Sequence, residues 1–470
     1  MALRRLFVRS AVNPPDTEAP SVPSGTTNSV TATTVVLNIS TSTDNRSVSG
    51  YELEKDGVLQ AGSFPSGLIT ISGLSPGTSY NFRVRAYDNS GNRSAWSSNI
   101  SANTSGGGGV KSWNPGHYAF PDHHMYPSKY TSIESDINSL VTPTDKRSKV
   151  KGVLLLGTWS MFNPSSGTYD WTKLDYFIDY CKTRGLRSAL AIATRRYGGG
   201  IPSVPQADYR DAVLPDYVIN NGWVGANTDD LGGYSARFDI QACTDAFFTF
   251  LSALGAHVDN EPMFEFFQTG ETSAAFAAGQ GFNLTNWNTQ WRRFPAVLAS
   301  AFPKKFTIVN ANYHSSVTET NALVDECITY GVGVGGPDIM PQNLGTTDDH
   351  WGFMHLMGVG TRNDPIYGPY PFGTTYLSGK VPQKCEQQVI QDTSFTPATI
   401  YNHGYTYYEL SHFGWTMHGN PAQTRYGDNV PAMIWETGVW PYLRDNSVPT
   451  KSTFPSRLTE LGYSAVTGAT

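Results

Sequence analysis

No apolar run in the chain reaches membrane-spanning length, so no transmembrane helix is expected and no membrane partner. The opening, MALRRLFVRSAVNPP, carries arginines but only three consecutive apolar residues, too few for a signal-peptide core. Export is therefore expected by another route, or through a leader exchanged for this segment. Cysteine is scarce: Cys181, Cys243, Cys327 and Cys385 lie far apart, with no CxxC or other metal-ligand spacing, and each sits in an apolar segment. Buried free thiols are the expectation for all four. Charge is also sparse, at 15% of residues, and the formal net charge of −6 leaves no basic footprint for nucleic acid. No GxGxxG or GxxxxGK[ST] phosphate loop follows the first strand of the α/β region, and no HxH pair occurs. No cofactor and no metal are expected on that ground.

Aromatic residues are what the chain has in plenty, 13% in all, with 25 Tyr and 11 Trp. They argue against disorder and offer flat faces to sugars or other polar rings. A length of 470 residues suggests two domains.

Residues 18–104 alternate in the β manner. Val35–Ile39, Gly50–Glu54 and Tyr80–Tyr87 are strand candidates, with hairpin turns at Lys55-Asp56-Gly57 and Asp88–Asn92. Without helical periodicity, this is expected to be a small, all-β, immunoglobulin-like sandwich. The pieces APSVP (19–23), STDN (42–45), GYELEKDG (50–57) and GLSPGTSYNFRVRAYDNSGNRSAWS (73–97) resemble a bacterial fibronectin type III module. The resemblance implies Tyr80 as the tyrosine-corner residue; Ile39 stands where such modules often carry a core Trp.

Residues 105–112, with four successive glycines, are expected to be a tether. Beyond it, over 113–466, the pattern turns to α/β. Val150–Trp159 is a continuous apolar run, Asp170–Arg184 has helical spacing closed by Gly185, and Leu186–Thr194 is the next strand: a βαβ unit. The alternation predicts helices at 239–255, 287–302, 316–330 and 396–410. Strands are predicted at 263–271, 306–313, 331–338, 379–389 and 412–419, with one more within 222–238. Eight strands over about 300 residues suit a (β/α)₈ TIM barrel better than an open doubly wound sheet, which would want a phosphate loop.

In such a barrel, chemistry sits where strands end. The stretch MFEFFQTGETS (263–273) reads as an aromatic strand delivering Glu271 at its C-terminal end, and Glu386 falls at another strand end, three strands on. Two carboxyl groups flanking one bond are what glycoside hydrolysis needs. The pattern resembles the retaining glycoside hydrolases of clan A, as does GVLLLGTWSMFNPSSGTYDWTKLDYFIDYCKTRGLRSALAI (152–192). That resemblance implies Glu271, after strand four, as acid/base and Glu386, after strand seven, as nucleophile. Gly270 stands where the clan usually has Asn. Asn260-Glu261-Pro262 precedes the apolar strand and reads as a turn, while Glu436 in IWETG follows strand eight and reads as a solvated helix residue.

Arg195 and Arg196 are counted at the end of strand two, where the clan places an arginine against its nucleophile. His314 ends strand five, and Trp415 lies in strand eight, where the clan often stacks a sugar. Trp159 and Trp351 are further platform candidates. His123-His124 and Asp348-Asp349-His350 have no known metal spacing.

The expectation is a retaining, endo-acting glycosidase of β-linked polysaccharide or oligosaccharide, extracellular or virion-associated. A non-catalytic carbohydrate-binding or adhesion protein on a barrel scaffold, of the phage-tail kind, is the alternative. A barrel hydrolase of another bond, using His314 or a metal, ranks third.

Overall fold

The computed structural model describes residues 15–30, 34–72, 74, 79–104, 109–121, 125, 127–196, 201, 212–227, 232–272, 276, 279–311, 317–336, 363–364, 368–369, 383–387, 396–406, 410–417 and 435–467. For Glu271 and residues 383–387 the description is of the backbone alone. The chain divides into two compact units between Gly108 and Gly109.

The first unit holds β1 (Gly25–Val30), β2 (Val35–Ile39), β3 (Val48–Lys55), β4 (Val58–Leu59), β5 (Gly67–Ile71), β6 (Ser79–Asp88) and β7 (Ile100–Asn103). They form two sheets, β1-β2-β5 and β4-β3-β6-β7. Strand period two puts Val35, Leu37 and Ile39 of β2, and Phe82, Val84 and Ala86 of β6, into one core with Leu53. On the outer face Arg83 pairs with Glu54 at 2.6 Å and Arg85 with Glu52 at 2.7 Å, the cross-strand charge pairs that antiparallel neighbours allow. The β3–β4 hairpin turns on Asp56 and Gly57, with φ of 49° and 82°. Positive φ at both positions matches the right-handed twist of the flanking strands.

In the second unit β8 (Val110–Ser112) is a strand, within the stretch expected to be tether. It pairs in parallel with β22 (Ser464–Val466). The main sheet is parallel and curls on itself through β9 (Gly116–Phe120), β10 (Val150–Thr158), β11 (Arg187–Ala193), β15 (Phe264–Glu271), β16 (Phe306–Asn310), β17 (Gly333–Gly336), β20 (Gln383–Gln387) and β21 (His412–Thr416). β9 pairs with β10 on one side and with β21 on the other, which brings the ends of the sheet together.

Alternation sorts the side chains of this sheet into two layers. Tyr118, Phe120, Leu154, Ala189, Ala191, Phe266, Phe306 and Ile308 gather inside, over Trp113. Ala119, Val153, Leu155, Leu190, Ile192, Phe267, Val309, Val334 and Phe413 turn outward and pack under the helices. Burial on both faces is why these strands read as unbroken apolar runs.

Three expectations need correction. The strand sought within 222–238 is not part of this sheet. β13 (Val224–Ala226) and β14 (Tyr234–Ala236) join β12 (Arg195–Arg196) in a separate antiparallel sheet. The missing strand is β9, five residues long and too short to show a pattern, so the runs at 150 and 186 are the second and third strands of the sheet. The single helix expected at 287–302 is two, Leu284–Trp291 and Phe294–Ala301, because Pro295 lacks an N–H and suits only a first turn. A further two-stranded piece joins β18 (Asn363–Asp364) and β19 (Gly368–Pro369). Cys181, Cys243 and Cys327 are buried free thiols, and burial pushes the Cys181 thiol up to about 12. No helix among the described residues is long and apolar enough to cross a membrane.

On the outer layer, His117 of β9 accepts at Nδ1 from the indole N–H of Trp415 (2.9 Å), which leaves Nε2 to donate to the Val448 carbonyl (2.9 Å). Burial holds this neutral ring down at about 4 against its ordinary 6.5, although the Val448 carbonyl favours the proton. The unfolded chain therefore takes up a proton before the folded one. Stability should be fully present above pH 6.5 and fall toward pH 4, with a contribution from this group of at most about 1.4 kcal/mol per pH unit. Urea unfolding across that window should show the slope, and His117→Asn should flatten it; an unchanged slope in the variant would assign the acid limb to other groups.

Candidate active site

β15 carries a carboxylate near each end, and their surroundings are opposite. Glu265, fully buried, accepts from the Ser112 hydroxyl (2.7 Å), the Asn114 N–H (2.5 Å) and side-chain amide (2.9 Å), and the Arg187 guanidinium (2.8 Å). With its acceptor sites filled it is a structural anion at the N-terminal end of the sheet. Beside it the ammonium of Lys111 donates to the carbonyls of Phe302 (2.9 Å) and Lys305 (2.6 Å), and burial lowers it to about 7 despite nearby Asp259.

Glu271 is the last residue of the strand, and the approach to it is irregular. Gln268 stands level with Ile308, yet Glu271 stands level with Asn310, so three steps on β15 match two on β16. This is a β-bulge. The Thr269 hydroxyl, itself buried, fills the gap by accepting the Asn310 N–H at 3.0 Å. Gly270 passes close to the next strand: a Cβ there would lie 3.0 Å from the Ile192 carbonyl and 3.2 Å from the Thr194 hydroxyl. The exit from the strand is pinned as well. Thr272 N–H donates to the Asn310 carbonyl (3.2 Å), and the Trp287 indole donates to the Thr272 carbonyl (3.2 Å).

Glu386 lies in β20, level with Gly414 of β21, two residues beyond His412. His412 packs against Trp113, Phe266 and Phe306 inside the sheet, so Glu386 occupies an inner register position of the seventh strand counted from β9. Glu271 ends the fourth.

The other candidates scatter. Arg195 and Arg196 form β12, paired with Tyr234 and Ser235 of β14. They follow the third strand, not the second, so they do not hold the position that the clan A resemblance gave its arginine. Trp159 is wholly buried among Tyr217, Phe238 and Phe247 in the helix–sheet layer, and Trp415 is wholly buried against His117 and Phe413. Neither presents a face to a ligand, which corrects the stacking role expected of both: alternation turns Trp415 outward, away from the His412 side of its strand. His314 and Trp351 lie outside the described residues, as do His123, His124 and Asp348–His350. Glu261 sits on the turn before β15, where it accepts the Met263 N–H (3.0 Å) and pairs with Lys182 (3.0 Å). Glu436 is exposed on a helical turn, 3.4 Å from Lys146.

The composition and spacing gave no hint of Gln268 and Asn310, buried polar residues on adjacent strands. Nor did they hint at Asp16, Asp44 and Asp88 in the first unit, whose carboxylates lie within 4.8 Å of one another. Those three are the one group of possible cation ligands among the described residues. Asp88 accepts from Ser90 N–H (2.9 Å) and Asn92 N–H (2.8 Å), Asp44 from the Arg46 and Ser47 N–H groups (each 2.9 Å), and Asp16 from Asn45 (3.1 Å). The group thus cross-links the loops at one pole of the sandwich.

The Fibronectin type III domain family matches residues 19–103. The N-terminal unit carries a fibronectin type III domain. Through this part the chain is similar to an alpha-amylase of Niallia circulans, 41% identical over 123 residues, 26% of this chain and 10% of that protein. It is similar also to Chitinase Chi52 of Paenibacillus xylanexedens, 45% identical over 103 residues (22% and 19%), and to Exoglucanase B of Cellulomonas fimi, 40% over 114 residues (22% and 10%). The chain thus spans less than a fifth of the length of these relatives. Among solved structures, the catalytic domain of beta-amylase from Paenibacillus polymyxa aligns with 65% of this chain and 92% of its own, at 9% identity and a TM-score of 0.44.

The bulge makes two substitutions informative. Thr269→Val keeps the shape but strands the buried Asn310 N–H, and should lower stability by about 1–3 kcal/mol in denaturant unfolding. Gly270→Ala forces a Cβ against the Ile192 carbonyl, and should lower the melting temperature more than Ala substitution of an exposed glycine with open space and ordinary φ, such as Gly109. Equal melting temperatures would mean that β15 can shift freely at this point.

Proposed function

We propose that the second unit is a (β/α)₈ glycoside hydrolase acting on β-linked polysaccharide or oligosaccharide, with Glu271 as general acid/base and Glu386 as nucleophile. The observation that carries this is the placing of the two residues on the fourth and seventh strands of a curled parallel sheet, one at a C-terminal strand end and the other at an inner register position. Glu261, on the turn at the opposite end of β15, and Glu436, exposed beside Lys146, are poorly placed for the same work. The fibronectin type III domain adds support of another kind, since the proteins that share it bear the names of carbohydrate-cleaving enzymes. Export from the cell accords with a polymeric substrate.

In the proposed reaction Glu271 protonates the glycosidic oxygen as Glu386 attacks the anomeric carbon. Glu271 then deprotonates water, which releases the sugar from Glu386. Carboxyls about 5–5.5 Å apart would leave no room for a water between them, and the configuration would be retained.

Glu271→Gln and Glu386→Gln should each lower kcat by several orders of magnitude on whichever β-glucan, galactan, mannan or xylan the wild type cleaves, with circular dichroism unchanged. Glu261→Gln should be mild. Proton NMR of the fresh product should show the substrate's anomer first; an inverted product would refute the double displacement. Sugar binding by the wild type without any hydrolysis would favour a non-catalytic binding role.

Removing residues 1–108 should leave kcat on soluble oligosaccharides nearly intact, because the fibronectin type III domain contributes none of the proposed catalytic residues. A large loss would make that domain part of the cleft.

A further inference from the structure

Asn310 ends β16, and several observations single it out. Phe306 and Ile308 of the same strand belong to the inner cluster and Val309 to the outer one, so strand period two places Asn310 on the inner face, one layer beyond Ile308. The residue is 4% exposed, and its side-chain Oδ1 is buried with no hydrogen-bond partner among the described residues. Its backbone is fully engaged by comparison: the N–H goes to Thr269, and the carbonyl accepts from Thr272. A buried amide oxygen left unmet is costly, and each such group in a native protein calls for an explanation, which a bound ligand would give.

The neighbours on either side sharpen this. Along the sheet Asn310 stands level with Glu271 on β15 and with Gly335 on β17. Val334 points outward, so the inner positions of β17 are Gly333 and Gly335, which have no side chain to cover the amide. Asn310 is therefore flanked by the proposed acid/base on one side and by a wall without side chains on the other. The local bulge, which holds Glu271 in the register of Asn310, couples the placement of the two.

We propose that Asn310 is a substrate-binding residue, its side-chain amide taking a hydroxyl of the sugar ring that sits against Glu271. This rests on the glycosidase reading. An amide suits a hydroxyl because each can both donate and accept, and rotation about the last side-chain bond lets either end of the amide meet it. The hydroxyl would supply the partner that the protein omits.

Asn310→Leu tests the assignment, since it keeps the approximate size and removes the unmet polar group. Affinity is read by calorimetry in the Glu271→Gln background, with oligosaccharides of each panel polymer as probes, and stability by thermal melting. The expected result is a Kd raised about tenfold or more, with a melting temperature equal to or above that of the parent. Asn310→Asp, which keeps an acceptor, should recover part of the affinity. A fall in melting temperature with unchanged Kd would overturn the proposal, because the amide would then serve the fold. Unfolding of both Asn310→Leu and a second variant, Asn310→Ser, would overturn it likewise. If the parent binds and Asn310→Leu binds equally well, this assignment alone fails. If the parent neither binds nor the wild type cleaves any panel sugar, the glycosidase reading fails and Asn310 with it.

Discussion

The arrangement at the C-terminal end of the sheet depends on a carboxylate at the other end. Glu265 is buried without solvent contact and ties three separate pieces of chain: its own strand, Arg187 at the start of β11, and the incoming segment at Ser112 and Asn114. A buried pair of this kind is no great source of stability, but removing one partner strands the other's charge, so the geometry is strongly enforced. The segment that it grips leads directly into β9, the strand that pairs with both β10 and β21. Trp113 lies between, its indole donating to the Ser452 carbonyl at 2.8 Å and its ring against Phe306, His412 and Phe454. Charge fixes the position of this segment, and aromatic packing fills the space beneath the strands.

How much could be read from the sequence follows from what each residue's environment demands. β10, β11, β15 and β16 are buried on both faces, and long apolar runs betray them. β9 is equally buried, yet GHYAF is five residues with a glycine and a histidine, and nothing in it separates a strand from a loop. Its omission displaced the count of the first strands and with it the role suggested for Arg195 and Arg196. The later strands kept their numbers because an extra strand, wrongly sought at 222–238, made up the total. Trp415 was misjudged for a related reason: a strand's alternation gives two sets of side chains, but only contacts tell which set faces the helices.

For the candidate site, the end of an aromatic strand was a readable position, and it led to Glu271. Asn310 was not readable, since an asparagine after an apolar run is ordinary turn chemistry. What distinguishes it is a missing hydrogen bond, a property of three-dimensional surroundings that no spacing encodes. Glu265 shows the converse. On sequence alone it is one more carboxylate in the same strand, and four donors drawn from two distant segments define it as structural.

The step at Thr269 and Gly270 has a bearing on how this protein can change over time. Strand β15 runs out of phase with its neighbour by one residue from that point on, and the displaced N–H is held by a hydroxyl rather than by the ladder. A residue deleted or inserted there alters the parity of the segment, so inner and outer positions exchange from that point onward. The same change made beyond the end of β15 leaves parity alone. Lineages of this fold should therefore tolerate indels unevenly across a very short distance, with the boundary set by the Thr272–Asn310 backbone hydrogen bond.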